Sequence, residues 1–232
     1  MTLGFLGDIH GDAPKLRHAA QQAKNKGATA LIQVGDFGVY PSMMDALVAA
    51  AQSSPIPIYF IDGNHEHYPI INSWPSRGTK EIVAGKLTYV RRGEVLVIDG
   101  VRVGFLGGAG SIDHNYRTAG VSWFPMDEQI KDDEVDALLA AGPVDVLVTH
   151  TPPRSFIDAH FDTSPIRAAL ARKAFGASPD WTDPSADRVE RAWVSLGRPP
   201  LYCGHMHIAI ATPEIRLLGI DELAIYQSPD TP

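Results

Sequence analysis

Apolar runs and helix-spaced segments alternate along the first part of the chain. Thr2 to Gly7 reads as a buried strand. Asp12 and Pro14 mark a helix start, and Leu16, Ala19, Ala20 and Ala23 share one face up to about Lys26, where Gly27 closes the helix. Ala28 to Val34 is a second strand, Pro41 opens a helix to about Ser53, and Ile56 to Ile61 is a third strand. Strands alternating with helices predict a parallel sheet with crossover helices.

The texture then changes. Leu87 to Val90, Glu94 to Ile98 and Val101 to Leu106 are short strands separated by Arg92-Gly93 and Asp99-Gly100. Asp-Gly is a hairpin turn signal, so this stretch is expected to be antiparallel. A helix is expected from about Met126 to Ala141, followed by a buried strand from Val144 to Thr149. Residues 151–199 form an excursion with two expected helices. One begins near Ser164-Pro165; the other has Asp183 as N-cap, Pro184 in the first helical position and Gly197 beyond its end. The close is again β, over Leu201–Gly204, His207–Thr212, Ile215–Leu218 and Leu223–Tyr226. No repeat or linker interrupts the 232 residues, which are expected to form one domain, 1–232.

Charge narrows the partners. With 20 basic and 27 acidic side chains, net −7, the chain is not expected to bind nucleic acid stably. Its basic clusters are short. Arg91-Arg92 is expected to be a solvated turn, and Arg167 to Lys173 an exposed helix face. A single Cys, Cys203, excludes an internal disulfide and makes a cytoplasmic location the expectation. No signal sequence or membrane-length apolar run is visible, so no membrane partner is expected.

The chemistry sits where the apolar runs stop. Gly7-Asp8-Ile9-His10-Gly11, Gly35-Asp36, Gly63-Asn64-His65-Glu66, Thr149-His150 and Gly204-His205-Met206-His207 each follow an expected strand. Open α/β sheets bind ligands at the carboxyl ends of their strands. Asp-x-His or Gly-Asp alone is a weak signal, and a single His is ordinarily a packed or surface residue. Their joint occurrence in order, each after a strand, is the informative fact. Asp8 and His10 lie two apart and are expected to point to one side of an extended chain, as are His205 and His207. Gly7, Gly35, Gly63 and Gly204 are expected to supply sharp turns. Asp8, His10, Asp36, Asn64, His150, His205 and His207 offer oxygen and imidazole donors enough for two adjacent divalent metals. Such pairs drive phosphate-ester hydrolysis, because a hydroxide between the ions is a nucleophile and both cations stabilise phosphoryl oxygens.

Several other residues fit around that centre. Gly107-Gly108-Ala109-Gly110-Ser111-Ile112-Asp113 is expected to be a loop close to the site, with Arg117 contacting substrate. His67 and Tyr68 are expected to line the cleft. Asp158, His160 and Asp162 read as a solvated lid segment, and Phe156, Phe161 and Trp181 as packing for the two helices. His18 is expected on a helix surface and Cys203 in a buried strand.

On these five motifs the chain resembles the calcineurin-like metallophosphoesterases, and in its compactness the bacterial and phage-type members. The resemblance implies an α/β fold, a four-layer αββα sandwich of two mixed β-sheets flanked by helices. It implies that Asp8, His10, Asp36 and His207 hold one metal and Asp36, Asn64, His150 and His205 the other, with Asp36 bridging. His65 would be catalytic, protonating the leaving alkoxide or binding the phosphoryl group together with Asn64. Mixed nitrogen and oxygen ligation favours Mn²⁺, with Fe, Zn²⁺, Co²⁺ or Ni²⁺ also suited. Gly-Asp-Ile-His-Gly is like the start of the Ser/Thr protein phosphatases, which continue Gly-Asp-x-Val-Asp-Arg-Gly. Here Val39 stands for the Asp that orients the catalytic His, and Tyr40 for a phosphate-binding Arg. The expected activity is therefore hydrolysis of small phosphomonoesters or phosphodiesters, cyclic nucleotides among them. A protein phosphatase, a dinucleoside polyphosphate hydrolase, a phosphoesterase-like binding scaffold and a mononuclear metal sensor are the alternatives.

Overall fold

A computed structural model describes residues 1–228 as two six-stranded sheets packed face to face. From the N-terminus the elements run β1 (Thr2–Leu6), α1 (Ala13–Asn25), β2 (Ala30–Gln33), α2 (Met44–Gln52), β3 (Ile58–Phe60) and α3 (Tyr68–Asn72). Then come β4 (Thr79–Val83), β5 (Leu87–Val90), β6 (Val95–Ile98), β7 (Val101–Leu106), a 3-10 turn at His114–Tyr116, α4 (Asp132–Ala140) and β8 (Val146–Thr149). The excursion holds α5 (Arg154–His160), α6 (Pro165–Ala174) and α7 (Pro184–Ser195). β9 (Leu201–Cys203), β10 (Ile210–Ala211), β11 (Ile215–Leu217) and β12 (Leu223–Gln227) follow.

The first sheet has the order β12-β1-β2-β3-β5-β4 and the second β10-β11-β9-β8-β7-β6. In each, four parallel strands form the middle and an antiparallel strand closes each edge. This is the expected mixed-sheet αββα sandwich. Strand alternation builds its layers. Leu3 and Phe5 of β1, Ala30 and Ile32 of β2 and Val146 and Val148 of β8 point into one apolar layer between the sheets. Leu6 and Leu31 point the other way, onto Leu16, Ala20 and Ala23 of α1 and Leu47 of α2. Leu147 likewise meets Val135 and Leu138 of α4 and Val189 and Trp193 of α7. Phe5 stacks on Tyr202 across the sandwich at 3.8 Å between ring centroids. Among the described residues no helix is long and apolar enough to cross a membrane.

Helix starts follow capping chemistry. Asp12 accepts the backbone N–H of Lys15 at 3.0 Å, and Asp183 accepts that of Ser185 at 2.8 Å with Pro184 next to it. Two starts fall later than expected. Residues 41–43 form a turn before α2, and α4 begins at Asp132 rather than near Met126. β4 was not expected; its Thr-Lys-Glu-Ile-Val is an edge strand with charged positions, which erases the apolar run. α3 and α5 are too short to display a helical period.

The region expected to be one antiparallel stretch belongs to both sheets. β6 and β7 form the Asp99-Gly100 hairpin, but β5 pairs with β3 and β4 in the other sheet. The chain crosses between sheets at Arg92-Gly93, so this is no solvated turn. The Arg92 side chain is 5% exposed and its Nε donates to Asp62 Oδ2 at 2.8 Å. The Tyr89 hydroxyl donates to the same carboxylate at 2.9 Å, and the Tyr68 hydroxyl lies 3.1 Å from it. Arg92 also donates to the carbonyls of Gln129, Asp127 and Glu128 at 2.6, 2.8 and 3.1 Å. Burial would raise the Asp62 carboxyl, yet the Arg92 guanidinium outweighs it and holds the group below its ordinary range. Removing one partner of a buried pair strands the other's charge. Arg92→Met is therefore expected to lower unfolding stability by about 3–5 kcal/mol, read from urea denaturation. A loss below about 1 kcal/mol would show that Asp62 finds other compensation.

Candidate metal centre

All seven proposed ligands lie at the same end of the sandwich, beyond the carboxyl ends of β1, β2, β3, β8 and β9. Backbone bonds knit the loops before any ligand is considered. His10 N–H donates to Asp36 C=O and Gly11 N–H to Phe37 C=O, each at 2.9 Å. Glu66, wholly buried, accepts the N–H groups of Phe37, Gly38 and Val39 at 2.7, 3.1 and 2.6 Å. It thereby clamps the loop carrying Asp36 to the loop carrying Asn64. Burial, then the Asp36 charge, push the Glu66 carboxyl up to about 8 in spite of these donors.

The expected extended geometry is corrected. His10, Asp36, His205 and His207 have φ of 46°, 53°, 71° and 58°, in the left-handed region. Such conformations are rare for residues with a side chain and persist where surrounding structure enforces them. The i, i+2 pairs converge by local coiling of the chain, not by strand alternation. The glycine expectation is corrected too. Of the four flanking glycines only Gly35 has positive φ, at 104°. Gly63 serves by having no side chain: a Cβ there would lie 2.1 Å from Asp36 Oδ1.

The donor atoms converge as follows. Asp8, His10, Asp36 and His207 each bring a ligand atom within 4.8 Å of the other three. His10 Nε2 and His207 Nε2 are 3.1 Å apart, His207 Nε2 lies 3.3 Å from Asp8 Oδ2, and His10 Nε2 lies 3.8 Å from Asp36 Oδ2. On the other side His150 Nε2 lies 3.4 Å from Asp36 Oδ1 and 3.2 Å from Asn64 Oδ1. The His205 ring stands 5.1 Å from that of His150, centroid to centroid. His150 Nδ1 faces the Val34 carbonyl at 2.9 Å, the partner that would leave Nε2 to a metal once a cation displaces its proton.

This donor set fits divalent metals. Asp36 is fully buried and its Oδ2 has no hydrogen-bond donor. Two imidazole nitrogens face each other across 3.1 Å, a contact that needs a shared proton or a cation. Burial would raise Asp36, but His150, with His65 and His10, holds it well below its ordinary value. Burial disfavours a charged His150, yet Asp36 pulls it up to about 10. Burial and the neighbouring His150 push His205 down to about 3, so it stands neutral as a ligand should. A hydrogen bond to Asp8 raises His207.

His65 stands at the mouth, its side chain 32% exposed, while its backbone N–H donates to Asp36 Oδ1 at 2.8 Å. Its ring meets that of His10 edge-on at 5.4 Å. Burial lowers it, with Asp36 only partly offsetting the effect. Sequence reasoning missed its neighbour Asp113, whose Oδ2 lies 3.8 Å from His65 Nε2. Arg117, expected to touch substrate, directs two donors into the wall of the site, Nη1 to Ser111 Oγ at 2.5 Å and Nη2 to the Asn64 carbonyl at 3.1 Å. Ser111 and the buried Glu128 behind it were also missed as individual residues, although the loop itself was expected near the site. Tyr68 is not in the cleft; it is buried and donates its hydroxyl to the Gly63 carbonyl. His67 packs between Tyr40 and Phe124. Asp162 pairs with Arg172, and Phe156 and Phe161 pack into the second helical layer, while Trp181 lies against Gly110.

Comparisons with known proteins place the chain in a family. The sequence profile of the family described as calcineurin-like phosphoesterase matches residues 1–209. No curated protein matches the chain. Among solved structures it is similar to TT1561 of Thermus thermophilus, at 14% identity and TM-score 0.56 over 94% of this chain and 89% of that one. It is also similar to a dimetal phosphatase from Danio rerio, at 15% identity and TM-score 0.52 over 95% of this chain and 87% of that one. At such identity these two speak to the fold, whereas the family profile spans most of the sequence and every motif discussed above. The chain belongs to the calcineurin-like phosphoesterases, metal-dependent hydrolases of phosphoesters.

Proposed function

We propose that this phosphoesterase hydrolyses small phosphomonoesters or phosphodiesters, cyclic nucleotides among them, at two divalent metals, with Mn²⁺ the first choice. Asp8, His10, Asp36 and His207 would hold one ion and Asp36, Asn64, His150 and His205 the other. The observation that carries this reading is Asp36: a sealed carboxylate with His10 facing one oxygen and His150 the other. A carboxylate between two imidazole clusters is what a bridged pair of cations requires. We read residues 1–232 as one domain, supported by the proposed ligands coming from both sheets.

When bound, the two cations acidify water and withdraw charge from phosphoryl oxygens. The remaining work falls to the chain. Glu66 and Gln33 hold the ligand loops: the Gln33 side chain donates to the Gly7 carbonyl at 3.3 Å and accepts from Gly35 N–H at 3.1 Å. His65, partly exposed beside His10, would meet the phosphoryl group and give a proton to the departing alkoxide. A phosphate beside it would favour the imidazolium that burial disfavours. Arg117 would lend its charge to the Asn64–His65 turn from behind. Val39 is fully buried and Tyr40 half-buried, so the loop beyond Asp36 presents neither the Asp nor the Arg of the protein-phosphatase pattern. That supports a small substrate.

Turnover of bis-p-nitrophenyl phosphate and p-nitrophenyl phosphate with Mn²⁺ tests the reading. Hydrolysis is expected to vanish with chelator and in Asp36→Ala. His65→Ala is expected to keep its metals and lose about 10²–10⁴-fold in rate. A folded, metal-loaded wild type that turns over neither compound would move the reading to a binding scaffold. Metal should also stabilise the fold. At free Mn²⁺ about 100-fold above Kd, each site adds about 2.7 kcal/mol. With both sites filled the gain is about 5.4 kcal/mol, and scanning calorimetry should then show the midpoint rising by about 10–20 °C over the chelated protein. No shift would contradict metal binding in the native state.

A further inference from the structure

Asn64 raises a question that its own loop does not answer. An amide's two ends have nearly the same shape, but only the oxygen has lone pairs for a cation. In the structure Asn64 Oδ1 faces His150 Nε2 and its Nδ2 donates to Ser111 Oγ at 3.0 Å. The reverse placement would turn N–H donors on the metal centre. What forbids it lies in the loop after β7.

Ser111 has one hydroxyl proton and two lone pairs to dispose of. The proton goes to Glu128 Oε2 at 2.9 Å. Glu128 Oε1 takes the Ser111 backbone N–H at 2.9 Å and the indole N–H of Trp123 at 3.1 Å. Both carboxylate oxygens thus act as acceptors, and the serine proton has no other destination. The hydroxyl can then only accept from its remaining neighbours. One is Arg117 Nη1 at 2.5 Å, which has nothing but protons to offer. The other is Asn64, whose facing atom must therefore be nitrogen. Turning the amide over would set its oxygen against serine lone pairs and leave a buried donor unpaired.

The support cannot drift. Ser111 and Glu128 are buried. The Glu128 carbonyl accepts from Ala109 N–H at 2.9 Å and from Arg92 at 3.1 Å. Asp183, at the start of α7, accepts Gly110 N–H at 2.8 Å. Arg92, the Glu128 segment and Asp183 together hold the loop that carries the hydroxyl.

We infer that Ser111 and Glu128 are a positioning pair that fixes the amide oxygen of Asn64 toward the metal centre, so that occupancy of one metal site depends on a hydroxyl that touches no metal. The inference rests on Asn64 being a ligand, as proposed above, and one experiment separates the two claims. The full-length protein is stripped of metal and titrated with Mn²⁺ by calorimetry, as wild type, Asn64→Ala, Ser111→Ala and Glu128→Gln. Circular dichroism confirms that each is folded. Glu128→Gln keeps the shape but offers N–H donors where only acceptors stood, releasing the serine proton to face Asn64. Wild type is expected to bind two ions. Ser111→Ala and Glu128→Gln are expected to bind one ion within about twofold of wild type and the other about 10–100-fold more weakly. Asn64→Ala should weaken that same ion. Wild-type affinities for both ions in the two support variants, with one ion weakened in Asn64→Ala, would overturn the positioning role and leave the ligand reading intact. Two ions at wild-type affinity in Asn64→Ala would overturn the ligand reading and the inference together. If Ser111→Ala does not fold, the Glu128→Gln titration decides.

Discussion

Asp36 carries its charge where no water reaches it, at the seam between two sheets, and its neighbours answer that charge. An isolated buried carboxylate costs several kcal/mol or takes up a proton. Here the His65 backbone N–H and the imidazoles of His150 and His10 surround it, and the group stays ionised. Those partners come from opposite halves of the chain, so the charge is satisfied only when both sheets are docked. Its left-handed backbone is held by the adjoining loops: Asp36 C=O accepts His10 N–H, and Glu66 grips the three residues that follow.

Other buried carboxylates act as ties of the same kind. Asp62 draws Arg92 and two tyrosine hydroxyls inward, and Arg92 in turn grips the carbonyls of residues 127–129. Glu128, in that segment, holds Ser111, which meets Asn64. A continuous polar chain therefore runs from the crossover between the sheets to the proposed ligands. Low local dielectric strengthens each bond in it and penalises any that is lost.

The proposed ligands were legible because their chemistry coincides with topology: Asp8, Asp36, Asn64, His150 and His205 each follow an apolar run, and strands end where runs end. The four-layer fold came from the resemblance those motifs carry; the apolar pattern alone spoke for the parallel strands. What hid was tertiary. Arg92 reads as polar surface, and only Asp62, distant in sequence, makes it a core residue. β4 lies on an edge and needs no apolar pattern. Ser111 and Glu128 have no spacing that marks them as a pair, since their meeting depends on loop closure. The left-handed turns at His10, Asp36, His205 and His207 hid as well, because residue type there answers to chemistry and not to backbone preference.

Each proposed metal site mixes donors from both sheets. Asp8, His10, Asp36 and Asn64 belong to the first, His150, His205 and His207 to the second. Away from that seam, the described residues between the sheets are mainly aliphatic and aromatic, among them the stacked pair Phe5 and Tyr202. The spacing between the donors of each proposed site is thus set by aliphatic packing: the layer that seats one sheet on the other also seats one half of each site against its other half.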